Sequence, residues 1–318
     1  QDLLRLLAGA IFHKVALPEQ LLNEIRLTDE EIYSILSGKR HGHSSTVLME
    51  AVKHGHAALE SLLVRIQIVN PGKINALLQQ QTSEGFSPLM LAAQHNLAAV
   101  HLLLNQIERL GDDELSVLLL QRTPEGFNAL MLAARYTPQA VPGLLAKIAT
   151  LDDDTRYAIL SQQTHEGDNA LILALKHAPA TAFMFHANAF GSLLSQVNTL
   201  SDEQKERMLP EIRRALKLGV EFNPSTVVAL HDSIEAFDPG ITQTLVPFLK
   251  SELTRAIDQK NCEKIPALVT ILLKCDVDVT FLCKSLKLAL DFPEVLDLLL
   301  KEISKLSVDK RFAILLNR

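Results

Sequence analysis

Thr82-Ser83-Glu84-Gly85-Phe86-Ser87-Pro88-Leu89-Met90-Leu91-Ala92-Ala93 is followed, 41 residues on, by Thr123-Pro124-Glu125-Gly126-Phe127-Asn128-Ala129-Leu130-Met131-Leu132-Ala133-Ala134. A third copy, Thr164-His165-Glu166-Gly167-Asp168-Asn169-Ala170-Leu171-Ile172-Leu173-Ala174, starts after the same interval. One step back from Leu89 lies Leu48, with Thr46, Met49 and Ala51 in register, and a further step reaches Leu7 and Ala10. Five units therefore keep one register from the N-terminus to about residue 200. A fixed period of this length marks a stacked array, in which each unit buries its apolar face only against its neighbours.

Each unit predicts three helices. The first starts at a side chain able to accept from an orphan backbone N–H: Thr46, Ser87, Asn128 or Asn169. Pro88 takes the first helical position, where a missing N–H costs little. The second helix carries Leu21-Leu22, Leu62-Leu63, Leu103-Leu104 and Leu144-Leu145, followed in register by Ile25, Ile66, Ile107 and Ile148. The third is short, over 29–36, 72–79, 112–120 and 153–160, and mostly opens on acidic residues that suit the positive end of a helix dipole. Gly85, Gly126 and Gly167 fall in the turn before the first helix, where a positive φ is expected.

Composition agrees. Hydrophobic residues are 47% and charged residues 21%, enough apolar matter for a packed core. Aromatics are only 5%, with no Trp, so Leu and Ala fill the apolar fraction and favour helices. Thirteen Gly and 13 Pro are too few for a turn-dense barrel or sandwich. A net charge of −6 argues against a nucleic-acid partner. No apolar run reaches the ~18 residues of a membrane span, and the uncharged stretch 178–197 is broken by His186, Asn188 and several serines.

The units resemble the ankyrin repeat. The family pattern G-x-T-P-L-H-L-A-A, a G-H turn and a V-x-x-L-L run are visible in pieces. Gly85–Ala93 gives the first part and Val100 with Leu103-Leu104 the last, while Ala51-Val52-Lys53-His54-Gly55-His56 supplies the G-H version. The usual period is about 33; the eight extra residues here accommodate the third helix. Met49, Met90, Met131 and Ile172 stand where the family places the His of its L-H-L triplet. The longer T-x-E-G-x-N-A-L-M-L-A-A variant is similar to arrays in secreted effectors of intracellular bacterial pathogens.

After residue 200 the register slips. Thr199-Leu200-Ser201-Asp202 matches Thr150-Leu151-Asp152 with a shift of 49, so that unit carries about eight extra residues. Ankyrin-like unit endings recur at 216–223 and 272–279, and 303–315 resembles 148–160. The expected organisation is ankyrin-like repeats over 1–204 and degenerate ankyrin-like repeats over 205–318, continuing one curved, all-α solenoid.

Little points to chemistry. No phosphate-binding glycine loop, G-x-S-x-G or H-E-x-x-H is present. His41-Gly42-His43 and His54-Gly55-His56 invite a metal reading, but lack soft or acidic co-ligands at fixed spacing. Cys262, Cys275 and Cys283 are odd in number and form no C-x-x-C pair, which suggests small reduced core residues. Asp112-Asp113-Glu114 and Asp152-Asp153-Asp154 read as solvated helix starts. Phe183, Phe185 and Phe190 are either an exposed anchor or core.

The most informative feature is a ladder. His13, His54, His95, Tyr136 and His177 recur every 41 residues at the end of the first helix, and Lys53, Gln94, Arg135 and Lys176 immediately precede four of them. Stacked helices lie about 8–10 Å apart, too far for successive rungs to chelate one ion at ligand bonds near ~2 Å. One reading is that cations at helix C-termini merely suit the dipole. The other is a mixed basic and imidazole strip that binds an acidic or extended protein segment. The resemblance places first helices and turns on a concave, partner-binding face. It implies a non-enzymatic cytoplasmic scaffold without cofactor, secreted by a bacterium into the host cytosol to act on a host protein. The alternative is an enzyme or covalent modifier with a site on the degenerate units or in a flanking segment.

Overall fold

The computed structural model describes residues 28–39, 44–54, 71–108, 110–176, 182–275 and 279–308, together with Arg311 and Ile314. Among the described residues there are 17 α-helices and one 3-10 turn, and the only β pairing is an isolated bridge between Lys39 and Thr46. The fold is all-α, as the composition and the period require. The chain divides into two units, Gln1–Ala170 and Leu171–Arg318.

The first unit holds α1 (Asp29–Ser37), α2 (Val47–His54), α3 (Pro71–Leu78), α4 (Pro88–His95), α5 (Leu97–Ile107), α6 (Asp112–Leu120), α7 (Ala129–Tyr136), α8 (Val141–Ile148) and α9 (Asp153–Ser161). Helices pack by kind. First helices α2, α4 and α7 stack in one column, second helices α5 and α8 in another, and third helices pair as α1 with α3 and α6 with α9. The four third helices lie within one residue of the spans read from the sequence. Ala92, Ala93, Ala133 and Ala134 are fully buried, so small side chains set the close approach of α4 and α7. Met49, Met90 and Met131 are equally buried, each with an apolar side chain where the family carries a histidine.

The repeated turn has one construction. Thr82 N donates to Phe86 O at 3.0 Å and Gly85 N to Thr82 O at 3.0 Å, while the Thr82 hydroxyl accepts from Phe86 N at 3.2 Å. Thr123 and Thr164 repeat all three bonds. Gly85, Gly126 and Gly167 have φ of 75°, 91° and 76°, the left-handed region expected from the sequence. The following helices are capped as read: Thr46 Oγ1 accepts from Met49 N at 3.3 Å, Ser87 Oγ from Met90 N at 3.4 Å, and Asn128 Oδ1 from Met131 N at 2.8 Å.

Between repeats, polar ties span roughly one period. Gln121 Nε2 donates to Gln79 O at 3.1 Å, Gln162 Nε2 to Leu120 O at 3.4 Å, and the Arg122 guanidinium to Gln163 O at 2.6 Å. These donors serve carbonyls in and just after the third helices, which have no intrahelical partner. Lys147 pairs with Glu108 at 2.7 Å, and Lys73 with Glu30.

In the second unit α10 (Ala170–Lys176), which starts at the division, is followed by α11 (Phe183–Val197), α12 (Asp202–Phe222), α13 (Pro224–Phe237), α14 (Pro239–Asp258), α15 (Ile265–Lys274), α16 (Val279–Leu288) and α17 (Pro293–Ile303). The packing here has two columns, not three: α11, α13, α15 and α17 in one, α12, α14 and α16 in the other. The cause lies in the connections. Asn223 alone joins α12 to α13, and Asp238 alone joins α13 to α14, leaving no room for the Thr-and-Gly turn (the finger turn) that precedes first helices in the first unit. Pro210 falls where a shift of 49 places Ser161, the last residue of α9; here the helix runs on through it. The equivalent turns nevertheless persist. Thr150 Oγ1 donates to Lys147 O at 2.8 Å and Thr199 Oγ1 to Gln196 O at 2.7 Å, with Asp152 and Ser201 capping the next helices. Of the three Phe, Phe190 is in the core, Phe183 is half-buried and Phe185 is 47% exposed. Cys275 and Cys283 are buried and Cys262 half-buried, all three as free thiols.

Candidate partner-binding surface

The ladder residues of the first unit sit at the C-terminal ends of α2, α4 and α7. Those ends are tied together. Asn96, just after α4, donates through Nδ2 to Val52 O of α2 at 3.0 Å while its Oδ1 caps α5 by accepting from Ala99 N at 3.2 Å. Thr137, just after α7, donates through Oγ1 to Ala93 O of α4 at 2.6 Å. Each bond satisfies a carbonyl in the last turn of the preceding repeat's helix. Successive rungs are thus held side by side by the residue that follows each.

Lys53, His54, His95 and Tyr136 are exposed, whereas Gln94 and Arg135 are half-buried. His54 Nε2 lies 3.4 Å from Glu50 one turn back. His95 is held below the usual histidine range, first by its partial burial and then by the positive charges of Lys53 and His54. That coupling places the first two rungs within electrostatic reach of each other. On the third rung the Arg135 guanidinium lies 5.0 Å from the Tyr136 ring centroid and 5.9 Å from that of Phe127. Two aromatic rings restrict the half-buried arginine, which keeps its charge. Lys176 ends α10 in the second unit and is half-buried. His13 and His177 lie outside the described residues, as do His41, His43 and His56.

The cations of this unit differ by position. Lys73, Lys147 and Arg156, on the third and second helices, each hold a carboxylate: Glu30, Glu108 and Asp153. Among the described residues no carboxylate lies within ion-pair distance of Lys53 or Arg135, nor of exposed Lys39 and Arg122 away from the ladder, the latter holding backbone carbonyls instead. The acidic clusters behave as helix starts: Asp152 accepts from Thr155 N at 2.9 Å, and Glu114 accepts from Gly111 N at 3.3 Å. Among the described residues no group of three or more His, Cys, Asp or Glu is placed to hold a metal ion.

Sequence reasoning missed Phe127, Asn96 and Thr137 as parts of this surface. Phe127 was legible only as a turn residue, shared with Phe86. Asn96 and Thr137 occupy the position after each rung, where Gly55 and Ala178 stand in the flanking repeats, so no residue type repeats to mark it.

Residues 48–155 match the family model of ankyrin repeats in three copies. The match opens on Leu48, the same register position as Leu89 and Leu130. Over these residues the chain belongs to the ankyrin-repeat family, whose arrays serve as protein-interaction scaffolds. No curated protein and no solved structure matches the chain. Among the described residues no helix is long and apolar enough to cross a membrane.

Proposed function

We propose that this protein is a binding scaffold rather than an enzyme, and that its partner docks on the strip formed by Lys53, His54, Gln94, His95, Arg135 and Tyr136. The observation that carries this reading is positional: Lys53 and the aromatic-flanked Arg135 hold equivalent places on helix ends tied together by Asn96 and Thr137, and neither has a carboxylate within ion-pair distance, whereas Lys73 and Lys147 are neutralised across repeats by Glu30 and Glu108. Cations left this way at the two ends of a three-helix stack gain more from a partner than from the fold. His13, Lys176 and His177 hold the same register in sequence and are proposed as partner-contacting residues on that ground alone.

The finer reading, a bacterial effector secreted into host cytosol and acting on a host protein, is supported by the resemblance of the T-x-E-G-x-N-A-L-M-L-A-A units to effector arrays. Capture from host-cell and bacterial lysates, followed by mass spectrometry, identifies the partner and its source. Binding of that partner is then measured with Lys53→Ser, Arg135→Ser and Lys176→Ser combined. At least about tenfold weaker binding is expected if two charge-assisted contacts are lost, at roughly 1–3 kcal/mol each. Unchanged affinity with an unchanged helical spectrum removes the strip as the site, and a partner found only in the bacterial lysate removes the host assignment.

A further inference from the structure

We infer that the segment read by this strip is acidic and extended, with two carboxylates about six residues apart that meet Lys53 and Arg135. The inference rests on the strip being the partner surface and adds what the partner must carry. Lys53 and Arg135 are on α2 and α7, the outer members of the stacked column α2, α4, α7. Two helix spacings of about 8–10 Å put the two charges roughly 16–20 Å apart. A polyproline-II segment rises about 3.1 Å per residue with three residues per turn, so six residues cover about 19 Å and bring both carboxylates to one side. A helical ligand rises only about 1.5 Å per residue, so it would need its acids about eleven residues apart, and the six-residue spacing is specific to an extended segment.

The two ends differ in kind. Lys53 is an exposed point charge with freedom to follow its carboxylate. Arg135 is restrained by Phe127 and Tyr136, so less rotamer freedom is lost when its planar fork meets a carboxylate. Between them Gln94 and His95 offer hydrogen-bonding groups without a fixed positive charge, which suits the uncharged middle of such a segment. Glu50, the acidic side chain on α2 nearest this edge, faces His54 at 3.4 Å and leaves Lys53 open.

The test uses synthetic fluorescein-labelled peptides and the intact chain, read by fluorescence anisotropy at low salt. One peptide carries two glutamates six positions apart in a proline-rich host, a second spaces them three apart, and a third replaces both by glutamine. The six-spaced glutamate peptide should bind about tenfold or more tighter than the glutamine peptide and severalfold tighter than the three-spaced one. Added salt should weaken it, as expected of exposed ion pairs. Lys53→Glu with Arg135→Glu should lose that preference and gain one for the matching lysine peptide. This swap separates charge reading from unfolding, because an unfolded chain gains no new specificity.

Equal binding of glutamate and glutamine peptides, binding of none of them at millimolar concentration, or a preference for a single-stranded oligonucleotide would each overturn the inference. The scaffold reading has its own test: if the captured protein still depends on Lys53 and Arg135 while the peptides show no charge preference, the acidic-segment inference fails alone.

Discussion

Asn128 is the residue in which helix start and repeat stacking meet. It is fully buried. Its Oδ1 accepts from Met131 N at 2.8 Å, which starts α7, and its Nδ2 donates to Gln162 Oε1 at 2.7 Å and, more weakly, to Ile159 O at 3.4 Å. Asn128→Ala removes the cap, worth about 1 kcal/mol. It also removes one good buried hydrogen bond and strands an acceptor, a further 1–3 kcal/mol or so. The expected loss is therefore about 2–4 kcal/mol. Ser87, one period back, makes only the cap contact, at 3.4 Å. Ser87→Ala should cost about 0.5–1 kcal/mol. Asn128→Ser keeps a capping oxygen and loses the reach to Gln162, so it should fall between the two. All three tyrosines, Tyr33, Tyr136 and Tyr157, are in the first unit and the chain has no Trp, so tyrosine fluorescence reports the unfolding of that unit. With a urea slope of about 1–3 kcal/mol per M, Asn128→Ala should lower the midpoint by roughly 1 M or more. A cycle with Gln162→Ala should show a coupling near 1 kcal/mol. Equal losses for Asn128→Ala and Ser87→Ala, or a coupling of zero, would refute the claim that Asn128 joins α7 to the third helix of its own repeat.

Two further outcomes follow from the same geometry. Gly126→Ala should destabilise the first unit by about 1–3 kcal/mol in the same urea assay, since its φ is 91° and an added Cβ meets Gln163 O and Thr164 Cα at 3.0 Å; Gly111→Ala, with nothing within 4 Å of the new Cβ, should stay within about 0.5 kcal/mol of the parent. For His95, burial and then Lys53 and His54 make the folded chain bind its proton less readily than the unfolded chain does. Its contribution is therefore neutral above the ordinary histidine value of about 6.5 and turns destabilising as pH falls through that value. His95→Gln should reduce the difference in urea midpoint between pH 7.5 and pH 5.5; an unchanged difference would show that His95 does not carry this linkage.

The parts of the fold that read directly from the sequence are those where packing against a neighbouring repeat dictates the residue. A glycine at φ 75–91° recurs because the next repeat lies against it: the Cβ of Gly85 would meet Pro124 at 2.8 Å. The caps recur because each first helix needs an acceptor for its orphan N–H groups, and each signal is printed several times at one interval. The two-column packing of the second unit was not legible. Its cause is the loss of the finger turn at Asn223 and Asp238, and a deletion leaves no motif to read. Only the slip of register at Thr199 marked where it begins.

The strip was half legible for a related reason. Its register followed from the period, because Lys53, Gln94 and Arg135 hold equivalent positions on stacked helices. Its chemistry did not, because nothing within the array requires a lysine at one rung and an arginine between two aromatic rings at another. A position packed tightly against a neighbouring helix repeats its residue, as Ala92 and Ala133 do, whereas a position at the helix end, Asn96 and Thr137 included, is free to vary from rung to rung. The proposed partner surface is compatible with this variation along the ladder, set on helix ends fixed by Asn96 and Thr137. A purely dipolar role for the cations would ask only for positive charge at each rung, which Gln94 does not supply and which does not explain why Arg135 lies against Phe127 and Tyr136.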